Sequence, residues 1–462
     1  MKNFYFLIVL LFSLQMNAQC WQTVSAGQHH TLAIKTDGTL WSWGRNTYGQ
    51  LGDGTNTDKN IPTQVGSDNN WSSISAGGID YLDFSLAIKT DGTLWAWGRN
   101  NEAQLGNGNY TSTNTPIQIG NSADWTSISA GGNFSIAIKT NGTLWTWGLN
   151  NYGQLGLGNI SIIGKNSPFQ IGTDNTWNKV ELGDYFALAI KTNGTLWSWG
   201  RNEKGQLGDA STADKISPVQ IGNNTNWQIL SAGSSHSAAI KNDGTLWCWG
   251  RNAEGQLGDG TVVNKSYPIQ IGSATTWRKI SAGGYHNVAI LSNGTAKSWG
   301  WNGSKQLGNG TGGNVNVPTQ IGLFVPTWQN YWSSISAGFN FNIAITDFGK
   351  LRTFGRNDNG QLGDGTNIDQ NSNIECTTLS LNENLKNIFF QIFPNPSNNI
   401  IYIQKNTNQP INYIEIIDSL GKKVFEKQGE IEYVDVQKLD SGIYFIRITS
   451  ENKNYTTKFI KQ

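Results

Sequence analysis

Short runs of alternating apolar and polar residues dominate the chain from residue 21 to about residue 375. Residues 32–35 (LAIK) and 40–43 (LWSW) are two such runs, and the sequence TDGT at 36–39 separates them. Alternation with a period of two predicts β-strands, and Asp-Gly between two runs predicts a tight hairpin turn of the primed type. The region shows no helical periodicity. The pattern therefore predicts β-sheet throughout.

This strand pattern recurs in seven units that begin 50 to 55 residues apart. Every unit also holds Trp-Gly or Phe-Gly and, after it, Gln-Leu-Gly. The tripeptide Ser-Ala-Gly begins at Ser25, Ser75, Ser129, Ser231, Ser281 and Ser336, with Glu181-Leu182-Gly183 in the matching place. Units of this length with three or four strands fit propeller blades better than solenoid coils, and seven blades can close into a ring. We therefore expect an all-β chain with a seven-bladed β-propeller at residues 20–376.

The units resemble the repeats of the regulator of chromosome condensation (RCC1) family through Ser-Ala-Gly, Trp-Gly-Arg-Asn, Gln-Leu-Gly and a later proline. The resemblance runs from Trp21 to about Cys376 and implies an RCC1-like propeller whose repeated glycines and tryptophans are structural. Family members include a nuclear exchange factor for a small GTPase, ubiquitin-ligase modules and a secreted inhibitor of β-lactamases. The fold therefore does not fix the function. An exported protein does not meet a nuclear GTPase, so exchange activity is set aside.

The two ends of the chain predict export and a second domain. Residues 1–19 read as a signal peptide, because Lys2 precedes an apolar core at 4–14 and a polar stretch at 15–19. The glycine and tryptophan pattern stops after Cys376, and residues 377–387 read as a polar linker. Six strand-like runs follow between Phe390 and Ile448, which predicts a small Ig-like β-sandwich at residues 388–462.

The motifs of this small domain closely resemble those of the type A sorting domain of the type IX secretion system. The matching motifs are FPNPS at 393–397, LDSGIY at 439–444 and KFIKQ at 458–462. The resemblance implies a bacterium of the Bacteroidota type, a partnership with the type IX secretion machinery, removal of the domain, and release or attachment at the cell surface. The sorting-motif residues are Pro394, Asn395, Pro396, Gly442 and Tyr444. The alternative is an ordinary sandwich that serves as a binding module.

Composition narrows the choice of partners. Only 14% of the residues are charged and the net charge is +1, so we expect no nucleic-acid partner. Outside the first 20 residues no apolar run approaches the roughly 18 residues of a spanning helix, so we expect no stable membrane span.

The cysteines and histidines predict structural roles. Cys20 opens the first unit and Cys376 closes the last, so a closed ring predicts a Cys20–Cys376 disulfide, with two free thiols as the alternative. Cys248 replaces a small residue and should be buried. His30, His236 and His286 share a repeat position that holds phenylalanine in the other units, which predicts half-buried packing residues. We expect neither a metal nor a cofactor.

No nucleophile with its base and no pair of carboxylates stands out as a catalytic motif. Four acidic residues break the repeat, and they are the best candidates for catalysis: Asp80, Asp83, Glu181 and Asp184. Departures from a repeat are places where function is grafted, although the simpler explanation is that these are solvated loop charges.

Two sets of residues are candidates for binding. The residue after Trp-Gly or Phe-Gly is arginine in five units: Arg45, Arg99, Arg201, Arg251 and Arg356. A ring places them around one end, where they can hold a partner that carries carboxylate or phosphate; alternatively, each pairs with an acid in its own blade. In blade six, Lys297 and Trp301 replace repeat residues, and an aromatic stretch at 324–332 follows. This cluster predicts a binding hot spot near blades six and seven, or a repacked blade.

Together these features predict an exported, non-catalytic propeller scaffold that binds an extracellular protein or glycan. It would be secreted or attached to the outer-membrane surface. The alternatives are an extracellular hydrolase or lyase built on a propeller, and an inhibitor of a secreted enzyme.

Overall fold

The computed structural model describes residues 21–321, 332–347, 349–375, 390–393, 397, 399–405, 410–418, 422–429, 432–450 and 453–461. The chain divides between Thr378 and Leu379 into two compact units. Within these ranges, no helix is long and apolar enough to cross a membrane. The predicted signal peptide at 1–19 and linker at 377–387 lie outside the described residues.

The described part of the first unit forms seven four-stranded antiparallel sheets, and each sheet pairs its strands in chain order. Blades one to four consist of β1 (Trp21–Ala26), β2 (His30–Lys35), β3 (Leu40–Gly44), β4 (Lys59–Gln64), β5 (Trp71–Gly77), β6 (Phe84–Lys89), β7 (Leu94–Gly98), β8 (Thr113–Gln118), β9 (Trp125–Ala130), β10 (Phe134–Lys139), β11 (Leu144–Asn150), β12 (Ser161–Gln170), β13 (Trp177–Leu182), β14 (Phe186–Lys191), β15 (Leu196–Gly200) and β16 (Lys215–Gln220). Blades five to seven consist of β17 (Trp227–Ala232), β18 (His236–Lys241), β19 (Leu246–Gly250), β20 (Lys265–Gln270), β21 (Trp277–Ala282), β22 (His286–Leu291), β23 (Ala296–Gly300), β24 (Val315–Gln320), β25 (Trp332–Ala337), β26 (Phe341–Thr346), β27 (Leu351–Gly355) and β28 (Gln370–Glu375).

The hairpin turn between the second and third strands differs from the predicted primed turn. Gly38 has φ +80°, but Asp37 is not among the residues with positive φ. The amide of Gly38 donates to the carbonyl of Lys35 over 2.9 Å, so Thr36 and Asp37 form the turn and Gly38 follows it in the left-handed region. The Asp37 carboxylate accepts the Thr39 amide over 3.0 Å, which fixes the turn locally and explains the recurring acid or amide side chain.

Adjacent blades are joined by two recurring hydrogen bonds. The Ser25 hydroxyl of blade one accepts the amide of Ala76 in blade two over 2.9 Å. The indole Nε1 of Trp97 in blade two donates to the carbonyl of Gln50 in blade one, also over 2.9 Å. These bonds explain why Ser-Ala-Gly, Trp-Gly and Gln-Leu-Gly recur in the sequence, because each motif supplies one side of the joint between adjacent blades.

The joint between blade seven and blade one has the same form. The Ser336 hydroxyl accepts the Ala26 amide over 3.0 Å, and Trp43 Nε1 donates to the Gln361 carbonyl over 2.9 Å. No described strand of blade one pairs with a strand of blade seven. The ring is therefore closed by side-chain packing and isolated hydrogen bonds, and the predicted seven-bladed propeller is confirmed.

Histidine and phenylalanine occupy the same slot at the start of the second strand of each blade. His30, His236 and His286 are 0% exposed, so they are fully buried rather than half-buried as predicted. Burial lowers the pKa of each to about 4. His30 Nε2 lies 2.9 Å from Ser85 Oγ of the next blade, and His286 Nε2 lies 3.1 Å from Asn342 Oδ1. Among the described residues no group of histidines, cysteines and acids is arranged to hold a metal ion.

The second unit is the predicted β-sandwich. Its strands are β29 (Phe390–Phe393), β30 (Ile400–Lys405), β31 (Tyr413–Asp418), β32 (Lys423–Gln428), β33 (Tyr433–Asp435), β34 (Gly442–Ser450) and β35 (Lys453–Lys461). One sheet has the order β29-β30-β33 and the other β32-β31-β34-β35. Ile401 of the first sheet and Ile414 and Ile446 of the second belong to one buried core. The two sheets therefore share a single hydrophobic interior.

Candidate binding face around the central channel

The first strand of each blade borders a narrow central channel. At one end of the channel, the alanine or leucine and the glycine that end each first strand surround a cavity of about 100 Å³. The next residue of each blade forms the rim of this mouth: Gln28, Gly78, Gly132, Asp184, Ser234, Gly284 and Phe339. The mouth is too small to enclose a ligand of ordinary size, since such pockets measure about 300–1,000 Å³.

The five predicted arginines lie around this same end of the propeller. The backbone amide of Arg45 donates to the carbonyl of His29 over 2.9 Å, and the equivalent bond recurs from Arg99 to Asp83, from Arg201 to Tyr185, from Arg251 to Ser235 and from Arg356 to Asn340. In four of these blades the acceptor directly follows the rim residue, as His29 follows Gln28, so the bond fixes those arginines beside the mouth. In blade two, residues 79–82 separate the acceptor Asp83 from the rim residue Gly78. We call the surface formed by the five arginines and the rim residues the arginine face.

Each guanidinium on the arginine face lies close to an acid. The nitrogen–oxygen distances are 3.9 Å for Arg45–Asp83, 3.5 Å for Arg99–Glu102, 2.8 Å for Arg201–Glu203, 2.5 Å for Arg251–Glu254 and 2.5 Å for Arg356–Asp358. The hydrogen bond from Arg201 lowers the pKa of Glu203, and the hydrogen bond to Glu254 raises the pKa of Arg251. In four of these five pairs the acid belongs to the same blade as the arginine. The ring therefore carries much less net positive charge than five free arginines would.

Tyrosines pack against the same guanidiniums. The Cζ of Arg201 lies 4.8 Å from the ring centre of Tyr152, and the Cζ of Arg251 lies 5.0 Å from that of Tyr285. Tyr285 and the rim residue Phe339 make an edge contact at 5.5 Å. These contacts orient each arginine, so the face presents guanidinium edges beside aromatic surfaces.

The insertion of blade two crosses the joint between blades one and seven. Tyr81 stacks on His29 with ring centres 4.1 Å apart, and its amide donates to Gln28 Oε1 over 2.8 Å. Arg45 donates to the Tyr81 carbonyl, and Arg356 of blade seven donates to the Tyr81 hydroxyl over 2.9 Å. Tyr81 has φ +67°, a backbone strain that these contacts hold in place. Sequence reasoning missed this role, although the longer spacing of blade two was its signal.

Two of the acids predicted as enzyme candidates lie at the channel with raised pKa values. Burial, with a smaller contribution from Asp80, raises the pKa of Asp184 to about 7. Glu181, in the innermost strand of blade four, has an exposed side chain although protein surrounds its carboxyl group closely; desolvation by this surrounding protein raises its pKa to about 7. By contrast, Asp83 is fully buried beside His29 and Gln50.

The two residues of the blade-six cluster lie at opposite ends of one strand. Trp301 follows β23 at the arginine face, where its amide donates to the Tyr285 carbonyl over 2.9 Å. Lys297 is the second residue of β23, near the hairpin turn, and its ammonium lies 5.9 Å from the Trp277 ring centre. Trp301 therefore belongs to the arginine face and Lys297 does not. The aromatic stretch at 324–331 lies outside the described residues.

The remaining predicted residues are the cysteines and the sorting-motif residues, and the structure describes only some of them. Cys20, Cys376, Pro394, Asn395 and Pro396 lie outside the described residues, so the proposed disulfide and the first sorting motif have no structural account. Gly442 and Tyr444 lie in β34. Cys248 is buried, as predicted.

Known protein families match both the propeller and the C-terminal domain of the chain. The RCC1-like domain model matches residues 84–392, the RCC1 repeat model matches residues 37–79, and the secretion system C-terminal sorting domain model matches residues 391–462. The regulator of chromosome condensation of Xenopus laevis is 32% identical over 127 residues, which are 26% of this chain and 29% of the relative. The ultraviolet-B receptor UVR8 of Arabidopsis thaliana is 37% identical over 95 residues, which are 20% of this chain and 21% of the receptor. The matched segments thus span under a third of these relatives.

Solved structures agree with the fold. Human WBSCR16 superposes with a TM-score of 0.66 at 23% identity, covering 74% of this chain and 95% of that protein. Prp20p of Saccharomyces cerevisiae superposes with a TM-score of 0.62 at 23% identity, covering 70% of this chain and 82% of that one.

Proposed function

This chain belongs to the RCC1-like domain family and ends in a sorting domain that directs secretion or cell-surface attachment; from this we propose that it is an exported, non-catalytic scaffold that binds an extracellular protein or glycan through its arginine face. Export would begin with the signal peptide at 1–19. The type IX machinery would then act on the sorting domain, which we propose to span residues 388–462.

The observation that carries this proposal is the ring of arginine–tyrosine pairs around the channel mouth. Arginine and tyrosine are enriched at binding hot spots, because both combine a flat apolar surface with hydrogen-bond donors. Arg201, Arg251 and Arg356 keep 25–29% of their side chains exposed, and Tyr81 is 43% exposed. Since the channel mouth is narrow, the partner would lie across the face rather than inside the channel.

The pairing of each arginine with an acid also favours a particular kind of contact. A guanidinium already held by an acid loses little side-chain entropy when a partner binds. Its remaining N–H groups can donate to a carbonyl or hydroxyl oxygen, and the neighbouring tyrosine can pack against an apolar surface. Both a peptide backbone and a sugar ring offer these groups. The face therefore suits a neutral, oxygen-rich surface better than a strongly anionic one.

Replacing Arg201, Arg251 and Arg356 together by glutamine should weaken partner binding at least tenfold. The partner would first be captured by the immobilised mature protein from the culture medium of the producing bacterium and identified by mass spectrometry for proteins and monosaccharide analysis for glycans. Titration calorimetry would then compare the wild type with the triple variant.

The matched control is the triple variant Arg278→Gln, Lys350→Gln and Arg352→Gln. These cations lie toward the hairpin-turn end of blades six and seven, so the control removes the same charge far from the arginine face. It should bind as the wild type does. Equal affinities for the wild type and the arginine-face variant would refute the proposal.

A second candidate function is an extracellular hydrolase. It rests on Asp184 and Glu181, whose pKa values of about 7 fall in the range of a general acid. Turnover of the captured partner that disappears in the Asp184→Asn variant would favour the hydrolase, whereas binding without turnover favours the scaffold. Loss of a captured enzyme's activity on binding would identify the scaffold as an inhibitor.

A further inference from the structure

The sorting-motif residue Tyr444 faces the interior of the sandwich. It is 8% exposed, its ring stacks on Phe459 with centres 5.4 Å apart, and its hydroxyl donates to the Asp440 carbonyl over 3.0 Å. A folded sorting domain therefore cannot offer this tyrosine to a partner. The residues of β34 that remain available are those on the opposite face, because side chains alternate along a strand.

The outward side chains of β34 and its neighbours divide into two halves. In one half, Arg447 pairs with Glu415 over 2.6 Å and Lys423 pairs with Glu426 over 2.7 Å. This half satisfies its own charges. The other half holds Ile417, Ile443, Phe445 and Ile460, which we call the isoleucine patch. Lys423 is paired with Ile417 on β32 and Lys458 is paired with Phe445 on β35, so a lysine position borders the patch on each side.

The isoleucine patch is continuous across three strands. Ile443 is paired with Ile460 on β35, and Phe445 is paired with Ile417 on β31. Ile443 is 47% exposed and Ile460 is 38% exposed. An apolar cluster of this kind on one end of a sheet, beside a self-paired polar region, is typical of a docking surface.

We propose that the isoleucine patch is the surface by which the secretion machinery recognises this sorting domain, through an apolar surface of its own. Three observations favour this occupant. The domain matches a sorting-domain family, three of the four patch residues lie on the two strands that carry the later sorting motifs, and the other face of those strands is closed by the core. The proposal deepens the export step of the proposed function and does not depend on what the propeller binds.

The test uses the full-length chain in the producing bacterium and a substitution that changes polarity but not shape. Threonine and valine have nearly the same shape, and both suit β-strands. The variant Ile443→Thr with Ile460→Thr should reduce the exported fraction at least fivefold, with the chain accumulating in the periplasm. The variant Ile443→Val with Ile460→Val should be exported like the wild type. Immunoblots of medium, cell surface and periplasm measure these fractions.

A second pair of exposed residues in the same domain supplies the control. Tyr402 and Tyr433 are 46% and 56% exposed and lie side by side on the other sheet, with ring centres 6.4 Å apart. Tyr402→Thr with Tyr433→Thr should leave export unchanged. Three results would each overturn the proposal. The double threonine variant at 443 and 460 could be exported normally, the valine variant could fail to be exported, or the tyrosine control could lose as much export as the double threonine variant. Partner binding by the purified chains is measured separately, so failure of the arginine-face proposal would not be confused with these results.

Discussion

Replacing His30, His236 and His286 together by phenylalanine should stabilise the propeller against acid by several kcal/mol relative to the wild type. Each histidine has a pKa of about 4 in the folded state, against 6.5 for an unperturbed side chain, because burial disfavours the charged ring. One pKa unit corresponds to about 1.4 kcal/mol, so each histidine can cost the folded state up to about 3 kcal/mol at pH 4.

The sign follows from proton binding. Between pH 6.5 and pH 4 the unfolded chain binds protons at these three positions and the folded chain does not, so falling pH favours unfolding. Asp184 and Glu181 act in the opposite direction, because their raised pKa values let the folded chain bind protons below pH 7. Both acids are present in the wild type and the variant. The stability difference between the two proteins therefore isolates the histidines.

Phenylalanine should fit the three slots because it already occupies the same position in four other blades of the described structure. A β-carbon placed on Gly27 would lie 2.8 Å from His30 Cε1, and one on Gly77 would lie 2.9 Å from Phe84 Cε1. Each ring thus lies against the equivalent glycine of its own blade. Denaturant unfolding at pH 7.5, 5.5 and 4.5 measures the difference, which should be small at pH 7.5 and grow steadily toward pH 4.5.

The reverse substitution, Phe134→His, supplies the control. Ala187 occupies the position that Ser85 and Asn342 hold beside the natural histidines, so the new ring would be buried without a polar partner. This variant should become less stable than the wild type as the pH falls. A stability difference for the triple variant that does not change between pH 7.5 and 4.5 would show that burial does not lower the pKa of these histidines.

The second large effect is expected at the joint between blades one and seven. Tyr81→Ala should destabilise the propeller by about 2 kcal/mol, because it removes a ring stack, cation–π contacts and a hydrogen bond at once. The lost contacts are the stack on His29, the packing against Arg45 at 4.9 Å and the bond from Arg356 at 2.9 Å. Differential scanning calorimetry of the purified protein measures the change.

Tyr110 provides the comparison for Tyr81. It belongs to the same blade and is 50% exposed, so Tyr110→Ala should change stability by less than about 0.5 kcal/mol. If both tyrosine variants unfold at the wild-type temperature, the insertion of blade two does not fasten the ring.

The repeat made most of the fold predictable. Ser-Ala-Gly, Trp-Gly and Gln-Leu-Gly recur because each supplies one side of the joint between blades, so counting them counts the blades. The hairpin turn was predicted less well, because Asp-Gly suits both a primed turn and a turn in which only the glycine has positive φ, and the sequence does not separate the two.

The arginine face was only partly predictable. Equivalent repeat positions place Arg45, Arg201 and Arg251 at one end of the ring, and the sequence alone supports that placement. It did not show the tyrosines beside them, because Tyr185 and Tyr285 share one repeat position whereas Tyr152 comes from another part of the repeat, and only the folded loops bring the two positions together. Lys297 and Trp301 were grouped because they are close in sequence, but four residues of an extended strand separate the two ends of a sheet.

Blade seven packs on blade one as every other pair of neighbouring blades packs. Asn367 Oδ1 lies 3.2 Å from Asn60 Nδ2 across that joint, and Asn56 Oδ1 lies 3.0 Å from Asn114 Nδ2 at the equivalent place between blades one and two. Asn60→Cys with Asn367→Cys, and separately Asn56→Cys with Asn114→Cys, would be made in a background with Cys20 and Cys376 replaced by serine. After mild oxidation, mass spectrometry should find an intramolecular disulfide in both proteins to a similar extent. A disulfide between residues 56 and 114 without one between 60 and 367 would show that the ring is open.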